Sequence, residues 1–351
     1  MLRIECYKDQ EIAQSAHLFN RAFLYYRPFS PQTSVGQMRL LMRNSWVDPD
    51  LLLCAKINGA IVGQVLVLPR EVKVAGSLSR VGMVSQVAVH PNWRRKGIGK
   101  TLMERAAALA TDRDYDGLLL TADPGSRAHS LYRKLGYRTL VRMQLMIKIL
   151  DSSILSRALN ASYLLPLLRL LSRHHQIALP PGTMVRSYGV ADREHALALL
   201  KSHVGTRECV EEVNEQFWIW KHETLQLGES ERCFVAEEDG RIVAFVSAAP
   251  MIAMARIGRK NARTRVCILE DLCYEEGVRS HLRAFLGEVL RKLLIFHPVA
   301  AVHLACPDER RLWKNLGLHG MPLQRVERMA LSLKPSFNRL FQARSFYFSR
   351  F

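Results

Sequence analysis

The residues best suited to chemistry lie in one stretch, VSQVAVHPNWRRKGIGKTLMERAAALA, from Val84 to Ala110. An apolar strand ends at Val89 and a turn follows at His90-Pro91-Asn92. Arg94-Arg95-Lys96-Gly97-Ile98-Gly99-Lys100-Thr101 then leads into an amphipathic helical pattern. Gly97 and Gly99 let the backbone approach a ligand with no Cβ in the way. Amides of the first helical turn lack an intrahelical acceptor, and the helix dipole adds partial positive charge at that end. Arg94, Arg95, Lys96 and Lys100 add full charges. Such a site suits a pyrophosphate. It is not a nucleotide P-loop, because the GKT at 99–101 lacks that motif's upstream glycine, and no G-x-G-x-x-G is present.

Other reactive residues form no comparable constellation. The seven cysteines are scattered and make no C-x-x-C pair, so neither a disulfide framework nor a metal site is expected. Arg256–Arg265, RIGRKNARTR, concentrates five basic residues in ten and reads as a solvated hairpin loop. No recognition-helix, RNP or zinc-finger pattern accompanies it, so sequence-specific nucleic-acid binding is not expected.

The elements that must position the loop repeat along the chain. Leu52–Pro69 matches Cys233–Pro250 at an offset of 181, with six of eighteen positions identical. Each copy reads as a β-hairpin around Asn58-Gly59 or Asp239-Gly240. At the same offset SLYRKLGY (Ser130–Tyr137) matches RLWKNLGL (Arg311–Leu318). Two coincidences at one offset predict a duplicated domain. In the first copy a strand at Leu2–Tyr7 precedes helices at Asp9–Phe23 and Gln37–Trp46. After the hairpin come a strand at Val81–Val89, a helix at Ile98–Thr111, a strand at Gly117–Thr121 and a helix at Ser126–Leu135. A closing strand pair ends near Ile149. Alternating strands and helices predict an α/β fold with a mixed central sheet in each copy. The expected division is 1–150, a Leu-rich helical linker at 151–181 ending at Pro180-Pro181-Gly182, and 182–351.

Composition agrees with a folded, two-domain chain: 351 residues, 48% hydrophobic and 23% charged, with a mean hydropathy of −0.04. The apolar run Ala161–Leu171 is about half the length a membrane-spanning helix needs and contains Pro166 and Arg169. The N-terminus has no apolar signal-peptide core, so a cytoplasmic protein is expected. Net charge is +18, and residues 1–150 carry 22 basic against 11 acidic side chains. A field of that sign attracts polyanions or phosphorylated cofactors.

The loop resembles motif A of the GNAT superfamily of N-acyltransferases, R/Q-x-x-G-x-G/A, at Arg94, Gly97 and Gly99. Ala128, Tyr132, Gly136 and Tyr137 resemble its motif B. The resemblance covers residues 1–150, with 180–351 matching in layout, and implies a tandem GNAT protein. It implies further that the backbones of Val87 and Val89 meet the pantetheine arm of acetyl-CoA, the acyl donor. The amides from Arg95 to Thr101 would take the pyrophosphate, and Tyr132 would be the general acid that protonates the departing thiolate. An amide near Val87 would hold the oxyanion. The general base is a gap, because Ser85 and Gln86 stand where many relatives place a carboxylate; His129 reads as a surface histidine.

The expected activity is acetyl-CoA-dependent N-acetylation of a small-molecule or peptide primary amine by direct attack, in a monomer or homodimer and without a metal. The alternatives are a longer acyl-CoA or acyl carrier protein donor, or a non-catalytic CoA- or polyanion-binding protein. At the 181 offset the loop's basic residues become Glu275-Glu276-Gly277, its glycines are lost and Tyr132 becomes Trp313. A four-residue shift of the strand restores no loop, so the second half is expected to be catalytically silent.

Overall fold

Asn58 and Gly59 have φ of 49° and 79°, and Asp239 and Gly240 repeat the same two values. Both central residues are left-handed, which matches a hairpin turn to the right-handed twist of its strands. Apolar strands on either side then pair in register, Leu53 with Val65 and Phe234 with Val246. The computed structural model describes residues 1–23, 29–44, 47–158, 162–166, 177–224, 232–257 and 260–348.

The first half runs β1 (Leu2–Cys6), α1 (Ile12–Phe23), β2 (Phe29–Pro31), α2 (Val35–Met42), β3 (Leu52–Ile57), β4 (Ala60–Val74) and β5 (Ser77–Val89). It continues with α3 (Ile98–Asp112), β6 (Gly117–Ala122), α4 (Arg127–Lys134) and β7 (Arg138–Ile149). The second half runs α5 (Ser152–Ala158), β8 (Thr183–Ser187), α6 (Arg193–Val204), β9 (Cys209–Glu211), α7 (Glu215–Trp218), β10 (Arg232–Glu238), β11 (Arg241–Ile257) and β12 (Lys260–Tyr274). Then come α8 (Leu282–Leu293), β13 (Ala300–Ala305), α9 (Arg310–Asn315), β14 (His319–Ser332) and β15 (Phe346–Tyr347).

All the strands belong to one mixed sheet, whose main path is β1-β3-β4-β5-β6-β14-β7-β13-β12-β11-β10-β8. The last strands of the two halves are exchanged. β7 closes the first half in sequence yet pairs with β13, and β14 ends between β6 and β7. The closing strand pair expected near Ile149 is therefore a single strand, and both of its neighbours come from the other half.

Helices cover both faces of the sheet. Residues of α1, α2, α6 and α7 share one continuous core, to which both halves contribute Leu66, Met83, Val235 and Phe245. On the opposite face α3 and α4 pack over Val65 and Val67, and α8 packs over Val246 and Leu269. The expected linker helix begins as α5 and a short turn at Ser162–Leu164, and residues 159–161 and 167–176 lie outside the described residues. The basic stretch 256–265 forms the far end of the β11–β12 hairpin, paired out to Ile257 and Lys260, with 258–259 outside the described residues. Among the described residues no helix is long and apolar enough to cross a membrane.

Candidate functional site

β5 pairs with β4 along its length but with β6 only from Val81–Met83 against Gly117–Leu119. Beyond Met83 the two parallel strands part, and β6 keeps only its β14 neighbour. A bulge accompanies the parting. Gln64 opposes Ala88 and Leu66 opposes Ser85, so two residues of β5 face Val65, and Gln86 adopts a φ of 53°. His90 donates its amide to Val62 O at 2.8 Å. Strand alternation then turns the backbones of Val89 and Val87 to the open edge. The open edge is a ready partner for an extended ligand.

The loop lies at the end of that edge. Arg95 has a φ of 66° and Gly97, the N-cap of α3, a φ of 81°. A Cβ on Gly97 would meet nothing, so the left-handed backbone is what calls for glycine there. Thr101 already donates its amide to Gly97 O at 3.0 Å. The amides left without a helical acceptor therefore end at Lys100 rather than Thr101. Ile98 is buried beneath them, whereas Arg95, Lys96 and Lys100 are exposed. A Cβ on Gly99 would point between Val89 Cγ2 and Leu131 Cδ2, each 3.6 Å away, into the cleft between the end of β5 and α4.

Not every basic side chain of the loop is free for a ligand. Arg94 donates from Nε to Val89 O at 3.2 Å and from Nη2 to Ala22 O at 2.6 Å, tying the strand exit to the end of α1. Lys96 Nζ lies 4.3 Å from the centre of the Trp93 ring. Burial, followed by the charges of Arg21 and Arg94, lowers the pKa of His90, so its ring stays neutral beside the loop.

Tyr132 sits on α4, whose N-cap Ser126 accepts the His129 amide at 3.0 Å. It belongs to the apolar cluster that holds Ile98 and Leu102 of α3, its ring lies 5.8 Å from that of Tyr137, and the residue is only 5% exposed. His129 is not the surface residue its sequence context suggests. Its Nε2 lies 3.0 Å from Glu327 Oε2 on the exchanged strand β14. Glu327 also accepts Thr139 Oγ1 at 2.6 Å and Arg142 Nε at 3.0 Å. Burial pushes this carboxyl up, but bonds from Thr139, His129 and Arg142 prevail and hold it below the usual range.

Residues 16–137 match the acetyltransferase (GNAT) family. The chain carries a GNAT domain. An acetyltransferase of Pectobacterium atrosepticum is 31% identical over 94 residues, 26% of this chain and 61% of that protein. One from Yersinia pseudotuberculosis is 29% identical over 93 residues, 26% of this chain and 60% of the relative. The chain thus spans about three fifths of the length of these relatives. A structure of Saccharomyces cerevisiae N-myristoyltransferase with bound myristoyl-CoA aligns with a TM-score of 0.78 at 12% identity, covering 94% of this chain and 82% of that one. A conserved protein of Enterococcus faecalis aligns at 0.57 and 13% identity, covering 95% and 73%. At these identities the likeness is one of fold, and it extends over both halves.

Beyond the GNAT domain the second half repeats the fork. β12 pairs with β13 only at Val266–Ile268. Its bulge puts Asp271 at a φ of 50°, and Glu275 donates its amide to Val243 O at 3.0 Å, as His90 does to Val62. The strand register is therefore offset by 185, and Glu270-Asp271 stand where the first half has Ser85-Gln86. The chemistry of the loop is absent: Leu282 and Ala284 replace Gly97 and Gly99 in this register, and Glu275 is paired with Arg241 at 2.6 Å. Trp313 takes the place of Tyr132, since Leu318 donates to Trp313 O at 3.0 Å as Tyr137 does to Tyr132 O at 2.9 Å.

Asp271 is buried and fully engaged. It accepts Lys221 Nζ at 2.5 Å, Tyr347 OH at 2.6 Å and Ser247 Oγ at 3.4 Å, with His222 Nε2 at 3.2 Å. Burial opposes its charge, and Lys221 and then His222 overcome that to hold the carboxyl far below its ordinary value. This cluster forms part of the wall of a cavity of about 300 Å³, where apolar side chains such as Met143, Leu145, Val266 and Val302 alternate with Arg207, Glu270, Glu309 and Arg328. It opens between the two forks, with Thr121 and Asp123 at its first-half end. Sequence reading missed this site because its walls come from the exchanged strands. Among the described residues no group of three or more His, Cys, Asp or Glu is arranged to hold a metal.

Proposed function

We propose that the chain is an acyl-CoA-dependent N-acyltransferase whose chemistry is confined to the first half. The observation that carries this reading is the fork between β5 and β6, open from beyond Met83 to Val89 and ending at the first amides of α3, which lack a helical acceptor, within a GNAT domain. The backbones of Val87 and Val89 take the pantetheine as an added strand. Amides from Arg95 to Lys100, with Gly97 setting the turn, hold the pyrophosphate, while the Lys96 and Lys100 ammonium groups and the Arg95 guanidinium screen its charge. Arg94 positions the strand exit through Val89 O. Gly99 leaves the cleft beside Leu131 clear, and Thr101 anchors the first helical bond.

In the reaction the amine nitrogen bonds to the thioester carbon and the carbon–sulfur bond breaks. The amine gives up a proton to water, and Tyr132 supplies one to the leaving thiolate. Transfer of the Tyr132 hydroxyl proton as the carbon–sulfur bond breaks gives the free thiol, and water then restores the phenol. The amide near Val87 faces the developing oxyanion. Acetyl is the donor group we propose. A longer acyl donor is the second reading, supported by the whole-chain fold likeness to an enzyme solved with myristoyl-CoA. Calorimetric titration with acetyl-CoA tests the reading, and no heat at millimolar ligand sinks it; competition by longer acyl-CoAs separates the two donors.

A further inference from the structure

Of the two guanidinium groups in the cavity wall, Arg207 and Arg328, that of Arg328 on β14 has no ion pair among the described residues, and the charges of Glu211 and Glu270 act on it only from further off. Arg328 is 6% exposed and lines the cavity. Its Nη1 reaches Met83 Sδ at 3.2 Å, its guanidinium lies 5.1 Å from the centre of the Phe348 ring, and its Nε has no hydrogen-bond partner. Among the described residues no carboxylate lies within ion-pairing distance of it. The other cations of the wall are satisfied: Arg207 holds Asp308 at 3.3 Å and Glu309 at 3.1 Å. Burying a guanidinium with no anion is costly, and the cost is relieved when a ligand brings one. Burial lowers the pKa of this guanidinium despite the opposing charge of Glu211, in keeping with a site that wants a negative charge.

Its place in the fold decides what that ligand is. Arg328 stands opposite Thr121 on β6, and Met83, which it touches, is the last residue of β5 paired with β6. The guanidinium therefore sits at the crotch of the first-half fork, under the edge where the thioester is proposed to lie. Much of the wall behind it is apolar, and its carboxylates Glu270, Asp271 and Glu309 are already paired with Lys221 and Arg207. A long acyl tail would fill that apolar space but leave the arginine buried against methylenes.

We infer that the acyl acceptor is an α-amino acid with an apolar side chain, its carboxylate on Arg328, its side chain in the cavity and its α-amine turned toward the open edge of β5. This rests on the acyltransferase reading above. The carboxylate and α-amine of such a molecule are separated by one carbon, so the anion at the crotch brings the nucleophile to the fork. A polyamine or a lysine side chain offers nothing to Arg328.

The test compares L-leucine and L-phenylalanine with isoamylamine and phenethylamine, the same bodies without the carboxylate, on the full chain. Free thiol released from acetyl-CoA should give a kcat/KM about 100-fold higher for the amino acids, because a site built around a buried charge rejects an analogue that leaves it unpaired. Arg328→Met should bring the amino acids down to the level of the amines. A readout independent of turnover is melting temperature. About 10 mM phenylalanine should raise that of the wild type, and neither phenethylamine nor phenylalanine should raise that of Arg328→Met. The unliganded variant should melt at or above the wild type, since it loses an unpaired buried charge. Equal use of amines and amino acids, no shift with either amino acid, or a lower melting temperature for Arg328→Met overturns the inference. So does a variant altered only in its preference for acyl chain length. Carboxylate-dependent shifts without acetyl-CoA binding would fault the acyltransferase reading and leave the anion site standing.

Discussion

The two halves build the same fork and fill it differently. Both split a parallel strand pair after three residues, both bulge at a left-handed residue, Gln86 or Asp271, and both bond the strand exit back to the neighbouring strand. In the first half the bulge carries uncharged Ser85 and Gln86, and the following loop carries glycines and free amides. In the second the bulge carries Glu270 and Asp271, locked to Lys221 at 3.2 and 2.5 Å, and the loop has lost both glycines. The same backbone thus leaves one edge open in the first half and carries one ion-paired cluster in the second. The fork is a property of the fold; its use is set by a handful of side chains.

The sharpest way to break this comparison is Gly99→Val. Its methyls would occupy the cleft between Val89 and Leu131, where the pyrophosphate end of the donor is proposed to enter. Acetyl-CoA affinity should fall by roughly 1000-fold, about 4 kcal/mol, while the chain stays folded. Normal affinity by calorimetry would remove the loop from the donor site. Tyr132→Phe follows. Turnover at saturating donor should drop by roughly 10²–10⁴ with affinity kept, the usual worth of a positioned acid. Trp313→Phe, at the matching place in the second half, should leave the chemical step alone. A wild-type kcat in Tyr132→Phe would make that ring, 5% exposed in its core, a packing residue and nothing more.

What could be read from sequence and what could not divide along contact range. The hairpins at Asn58-Gly59 and Asp239-Gly240, the strand into Val89 and the helix from Ile98 are written in local turn chemistry and periodicity, and all are present within a residue or two. The exchange of β7 and β14 is not local. Nothing in the local pattern of either strand names its partner, so only the packing of both halves together selects it. His129, Glu327 and Arg328 follow from that exchange, since residues nearly 200 positions apart have no pattern that joins them. The four-residue shift of the strand raised by the sequence is present: the hairpins align at 181 and the following strand at 185, with the inserted length in the β11–β12 hairpin.

A third test asks whether the second fork is a support. Asp271→Asn takes from the buried Lys221 the carboxylate 2.5 Å from its ammonium, so stability should fall by about 3 kcal/mol, read by urea unfolding. Gln86→Ala, at the same bulge of the first half, removes no charge and should cost about 1 kcal/mol or less. Acid should act on the same contrast. Asp271 titrates lower folded than unfolded, so its contribution is intact above the ordinary carboxyl range and fades as pH falls below about 4. In Asp271→Asn that part of the acid sensitivity should vanish. Equal losses from Asp271→Asn and Gln86→Ala would mean the two bulges are used alike.

The smallest effect concerns Arg94, and it separates two ways for a basic residue to serve a phosphate site. Were its guanidinium a direct phosphate contact, Arg94→Ala would weaken acetyl-CoA and spare a phosphate-free acetyl-pantetheine. In the structure that guanidinium holds Val89 O and Ala22 O at 3.2 and 2.6 Å, so it shapes the strand end that pantetheine must meet. The side chain is exposed, which limits what its bonds are worth. Arg94→Ala should therefore weaken acetyl-CoA and acetyl-pantetheine by a similar factor, about tenfold, or roughly 1.4 kcal/mol. Lys100→Ala supplies the contrast, because among the described residues its ammonium pairs only with Glu104, at 3.6 Å. That variant should weaken acetyl-CoA alone and fade in effect at high salt. If Arg94→Ala instead spares acetyl-pantetheine, the arginine turns to the phosphates on binding and the strand exit holds without it.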